Sequence, residues 1–197
     1  ALHSKLHEEM NDAYMAIDLP VKLFRTLAGY VFDYGFNRLP QPMKLSLMAG
    51  IEHFTAVLAE YMMNHEQIFF DSQDEKQRAI WLWHMLEESE HKDIAYDVFQ
   101  NLSNNYALRA AGFFAALTTI LVLISAASLV VPFYRKPANL ISGAYWKDVP
   151  RSFQLIFGLK DGVYGSSWKH IFDYLRPGFH PNDYDTSAFL EYYKERL

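Results

Sequence analysis

The sequence predicts an all-α protein, a bundle of helices, and three observations carry that reading. Apolar residues recur at helical spacing through most of the chain. Glycine and proline are scarce, at 9 and 8 of 197 residues, and Pro20 and the Leu39-Pro40-Gln41-Pro42 stretch punctuate the periodic segments. Glu88 and His91 form a Glu-x-x-His pair within the helical run 81–92, the (i, i+3) unit by which helical bundles hold metal ions.

Composition narrows the functional classes. A chain of this length makes one domain, or one and a fraction, and can bury a sizeable core. Its charge of −5 and the absence of a basic block argue against nucleic acid as a partner. With no cysteine, disulfides, thiolate metal sites, iron–sulfur clusters and cysteine nucleophiles are excluded, so any metal is held by His, Asp and Glu. The chain opens at Ala1 inside a helical pattern, which reads as a fragment or a processed product.

In chain order, residues 1–17 read as a helix lined by His3, His7, Met10 and Tyr14, ended by Pro20. Residues 21–37 form a second, aromatic-rich helix, and Pro42 suits the first turn of a third, over about 42–66. That helix sets Glu52 within about 40° of Ala56 and 20° of Ala59, on a face of small residues where helices approach closely. His53 and Glu60 share a neighbouring face. Ser72-Gln73-Asp74-Glu75 is a capping-box pattern opening a fourth helix, expected to run unbroken to about Ser103 and to stop at Asn104-Asn105. On it His84, Glu88 and His91 occupy an arc of roughly 60°, with Ile80, Ala95 and Val98 on or beside it. Imidazoles and a carboxylate on an apolar stripe are costly to bury unless paired, and a metal ion pairs with all three.

Residues 110–134 carry no charge, flanked by Arg109 and by Arg135-Lys136, and are long enough to span a bilayer. Leu, Ile, Val and Phe favour insertion, while Gly112, Thr118, Thr119, Ser125 and Ser128 oppose it. The segment reads equally as a membrane-contacting helix or as one buried in the protein or in a homodimer. Basic residues downstream outnumber those upstream, which would place the metal-bearing helices outside the cytoplasm; a cysteine-free metal protein is otherwise expected to be cytoplasmic, with or without membrane association. Beyond it, 146–165 read as irregular, 166–175 as a short helix and 176–183 as a loop. Asp185 or Thr186 caps a last helix. The chain thus divides into a partial metal-binding bundle over 1–108, the hydrophobic helix 109–134 and a C-terminal extension over 135–197.

A ferritin-like di-metal bundle needs a Glu from each of two helices and a Glu-x-x-His from each of the other two. Glu88 and His91 are one complete pair, Glu52 is a lone Glu, and His3 would complete another pair with a Glu just ahead of Ala1. The bundle is therefore expected to be incomplete at its N-terminus.

The runs A-L-H-S-K-L-H at 1–7, A-G-I-E-H-F-T-A at 49–56, W-L-W-H-M-L-E-E-S-E-H-K at 81–92 and Y-L-R-P-G-F-H-P at 174–181 resemble the bacterial family called predicted metal-dependent hydrolases. The resemblance implies a ferritin-like fold, a di-metal centre and a further upstream segment that supplies the missing carboxylates. It implies His3, Glu52, Glu88 and His91 as ligands, with His7, His53, His84 and Glu87 at or near the site. The cofactor is then two divalent ions, iron first and manganese or zinc as alternatives. Three activities are consistent with such a site. Metal-assisted hydrolysis would use Glu87 or Glu60 as proton acceptor. Carboxylate-rich ligation equally suits O2 activation at di-iron. A non-catalytic metal- or membrane-binding module is the third. The apolar surroundings point to a small lipophilic substrate.

Overall fold

The computed structural model describes residues 5, 9, 12, 21–69 and 75–195. His3, His7, Pro20 and the capping residues Ser72 to Asp74 lie outside them. The all-α class holds, and no strand occurs among the described residues. Helix α1 (Val21–Tyr30) continues through a π turn (Val31–Gly35) and a 3-10 turn (Phe36–Arg38). Next come α2 (Gln41–Asn64), a single turn (Glu66–Phe69), α3 (Glu75–Glu90), α4 (Ile94–Leu102) and α5 (Tyr106–Arg135). The chain closes with α6 (Gly143–Phe157), α7 (Trp168–Asp173) and α8 (Ser187–Lys194).

The molecule divides into two units, each assembled from two separate stretches: 1–40 with 119–153, and 41–118 with 154–197. The second unit holds the core. Small side chains let α2 and α5 approach closely. A Cβ on Gly112 would stand 2.0 Å from Ser46 Oγ, and one on Gly50 2.9 Å from Ala116 Cβ. Ser46 Oγ uses the proximity to donate to the Leu108 carbonyl at 2.7 Å. This close approach falls about 120–160° around α2 from the face of Glu52, Ala56 and Ala59 on which the sequence placed one. Between α2, α3 and α8 lie Ala59, Met62, Met63, Leu82, Met85, Leu86 and Tyr193, all buried. Tyr193 adds a hydrogen bond, its hydroxyl donating to the Met63 carbonyl at 2.7 Å.

Two expectations are corrected. The helix expected from 75 to 103 is broken at His91–Asp93 into α3 and α4. The reason is a cap supplied from elsewhere: Glu52 Oε2 accepts the Ala95 amide at 3.2 Å, meeting one of the donors that a new helix start leaves open. In consequence the apolar arc does not carry across, and Val98 faces solvent while Ala95 stays buried. The stretch from Trp146, expected to be irregular, lies in helix α6 as far as Phe157. On a helical wheel Tyr145, Trp146, Val149, Phe153, Ile156 and Phe157 share an arc of about 120° opposite Lys147, Arg151 and Gln154. The final helix starts as expected, with Asp185 Oδ1 accepting the Ser187 amide at 2.9 Å.

Arg109, expected only as the polar flank of the apolar segment, is 4% exposed. It donates to the Tyr96 hydroxyl and, at 2.9 Å, to the Arg176 carbonyl. Its guanidinium lies 5.2 to 5.8 Å from the centroids of Tyr96, Tyr106 and Tyr174, close enough for cation–π attraction to offset part of its desolvation. The Tyr96 hydroxyl also accepts from Gln100 and donates to the Phe179 carbonyl, which uses its full bonding capacity.

Candidate metal centre

Where α2 meets the end of α3 and the start of α4, carboxylates from separate helices face one another. Burial pushes the Glu52 carboxyl above its ordinary range, the Ala95 amide pulls it back, and the charges of Glu88 and Asp93 raise it again while His91 lowers it. Glu52 therefore lies within electrostatic reach of both members of the Glu-x-x-His pair. His84 Nε2 is 3.7 Å from Glu88 Oε1, one helical turn back on α3. Trp81 sets its ring edge-on to His84 at 6.1 Å. His91 holds the last position of that turn, its amide donating to the Glu87 carbonyl at 2.9 Å, and its side chain is exposed.

Glu60, which the sequence offered as a proton acceptor, stands elsewhere. It lies eight residues after Glu52, about 12 Å further along α2. There it lines a cavity of about 20 Å3 with His53, Ser89, Lys92, His170, Tyr184 and Thr186, room for one water molecule. Glu60 Oε2 is 3.5 Å from His170 Nδ1. Burial lowers His170 to about 4, with Lys92 helping, and burial raises Glu60 against the pull of Lys92. At neutral pH the imidazole is uncharged, so this is a polar contact rather than an ion pair. His53 is buried, and its Nε2 donates to the Ile171 carbonyl at 3.1 Å. Burial first, and His170 second, lower His53 to about 4. Lys92 reaches the Tyr184 carbonyl and Thr186 Oγ1, and burial lowers its ammonium. His170 went unnoticed in the sequence because its partners Glu60 and Lys92 come from distant segments, and nothing in Trp168-Lys169-His170 marks it.

The donors at the first site are of the right chemical kind: hard carboxylate oxygens and imidazole nitrogens suit divalent first-row metals. They are not sufficient alone. Among the described residues no three of His, Asp and Glu converge closely enough to hold an ion. A full set of ligands needs donors from outside those residues, where His3 and His7 lie.

An all-α fold in which a carboxylate of one helix comes within electrostatic reach of a carboxylate and an imidazole at the end of the next defines the class of helical metalloprotein candidates. The sequence pattern of the family described as predicted metal-dependent hydrolase matches residues 1–185, and the chain belongs to that family. No curated protein and no solved structure matches it.

Proposed function

We propose that the chain is a metal-dependent hydrolase of ferritin-like architecture. It would hold two divalent ions, iron first and manganese or zinc next, through His3, Glu52, Glu88 and His91, with His7 and His84 alongside. The observation that carries this reading is Glu52. Its capping bond from the Ala95 amide relieves only part of the cost of a carboxylate that burial and two neighbouring acids destabilise, and a cation would relieve the rest.

A divalent ion in that place supplies Lewis-acid polarisation of a carbonyl or phosphoryl oxygen and an acidified water. The other tasks fall to the side chains. Glu52 and Glu88 orient from separate helices, so their spacing is fixed by packing rather than by one flexible loop. His84 steadies the Glu88 carboxylate from one turn away. Glu87, next to Glu88 on α3, is the proton acceptor we assign, because Glu60 is engaged with His170. Apolar neighbours favour a lipophilic ester or phosphoester as substrate.

Elemental analysis of the full-length protein, with ester and phosphoester cleavage assayed under zinc or manganese, tests the reading. Glu88→Gln should lose most of the bound metal, and unchanged stoichiometry would remove Glu88 from the ligand set. Oxygen uptake by the ferrous protein without cleavage would replace hydrolysis by oxidation. No metal after anaerobic iron loading would leave a non-catalytic module.

A further inference from the structure

The unit of residues 1–40 and 119–153 has an unusual interior, because none of its described side chains is buried. It nevertheless carries Val31 at 64%, Val122 at 60% and Ile141 at 90% exposure, with Phe32, Leu123 and Trp146 also facing outward. A water-solvated segment offsets the entropy of ordering by burying apolar surface, and this one buries little. Its central element is the distal part of α5. Over Tyr106–Tyr134 that helix has a mean hydropathy of 2.4 in its most apolar window, of which 6% is buried. Of the segment 110–134, Gly112, Phe113 and Ala116 are buried, and no described side chain from Leu117 to Tyr134 is.

We propose that this unit sits in a lipid bilayer, with α5 from about Leu117 to Tyr134 in the hydrocarbon and α1 and α6 at the interface. Length fits: those 18 residues rise about 27 Å, against a hydrocarbon core of about 30 Å. The distribution of apolar surface separates lipid from a second copy of the chain. Phe114, Leu121, Val122, Leu123 and Leu129 are all exposed and spread over more than half of the helix circumference. A dimer seam needs one stripe, whereas lipid meets a helix that is apolar all round. The ends fit too. Tyr134, Tyr145 and Trp146 follow the apolar run, and Arg135, Lys136, Lys147 and Arg151 lie beside them, as at a membrane–water boundary. Phe133 packs on Tyr145 at 5.0 Å and Tyr145 donates to the Ser128 carbonyl at 3.0 Å, which ties α6 to α5. Helix α6 has the two-sided character of an interfacial helix, and α1 repeats it, with Leu23, Phe24 and Leu27 opposite Lys22 and Arg25.

The test uses the full chain with vesicles of phosphatidylcholine and phosphatidylglycerol at 3:1. The protein should float with the vesicles and stay on them through a carbonate wash at pH 11. The double variant Val122→Lys, Leu129→Lys should lower the floating fraction at least tenfold with helicity unchanged. Because the chain has no cysteine, Val122→Cys carries a single environment-sensitive fluorophore without further changes. Its emission should rise and shift to the blue on adding vesicles and resist aqueous iodide. Failure to float overturns the proposal. So does a fluorophore that responds to protein concentration rather than to vesicles, which would assign the face to a second copy. Neither outcome touches the metal ligands, so the hydrolase reading is tested separately.

Discussion

Nδ1 of His170 on α7 stands 3.5 Å from Oε2 of Glu60 on α2, inside a cavity the size of one water molecule. Two segments far apart in the chain meet here in a place whose burial depends on His170 being uncharged.

That dependence has a pH signature. The groups facing His170 are Glu60, His53, Lys92, Asp173 and Tyr184, and the net effect of burial and Lys92 is a lowered value of about 4. In the unfolded chain the imidazole titrates near 6.5. Between these values the unfolded state binds the proton more readily. Stability is therefore full above about pH 6.5 and is lost as pH falls toward 4, by up to about 3 kcal/mol. Urea unfolding at pH 7 and at pH 4.5 should show the difference, and His170→Phe should reduce it.

Glu52→Gln separates function from folding. Glutamine keeps an acceptor for the Ala95 amide and removes a charge that burial, Glu88 and Asp93 all oppose. Metal-free protein should melt unchanged or higher, by about 0.5–1 kcal/mol, while bound metal falls. Calorimetry in chelator, beside elemental analysis, reads both.

Gly112→Ala should destabilise. The added methyl would meet Ser46 Oγ at 2.0 Å and the Ser46 carbonyl oxygen at 2.6 Å, backbone that cannot step aside cheaply. Overpacking of this kind costs about 1–3 kcal/mol, a drop of several degrees in Tm. Gly29→Ala, with nothing within 4 Å, should move the other way by up to about 1 kcal/mol.

Tyr193→Phe removes one hydrogen bond to the Met63 carbonyl and keeps the ring in the α2–α3–α8 core. The expected cost is about 1 kcal/mol from the unpaired carbonyl. Tyr193→Ala should cost about 3–5 kcal/mol by opening a cavity. Chemical denaturation of the pair separates bond from packing.

Local signals marked several helix boundaries in the sequence. Pro40 and Pro42 fall at the start of α2, Asn104 takes a left-handed φ of 42° just after α4, and Asp185 caps α8. What the sequence concealed depends on partners far along the chain. The break at His91–Asp93 carries no glycine or proline, because the group that caps α4 belongs to α2. The burial of Arg109 rests on Tyr96 and Tyr174 from other elements, beside Tyr106 of its own helix. Helix α6 is a different case: its apolar arc was present in the sequence, and Pro150, the charges and the glycines from Gly158 on obscured it. At the candidate centre the i, i+4 spacing already set His84 beside Glu88, whereas Glu60 lies about 12 Å beyond Glu52 on α2 and beside His170, a neighbour that no local pattern reveals.

Since Glu52 Oε2 already receives the Ala95 amide, Oε1 is the oxygen with both lone pairs left for a new partner. Anything that claims or repels Oε1 turns the whole carboxylate and so loosens or tightens the first turn of α4. Deuterium exchange at the single Ala95 amide thus becomes a gauge of occupancy, readable without knowing the substrate.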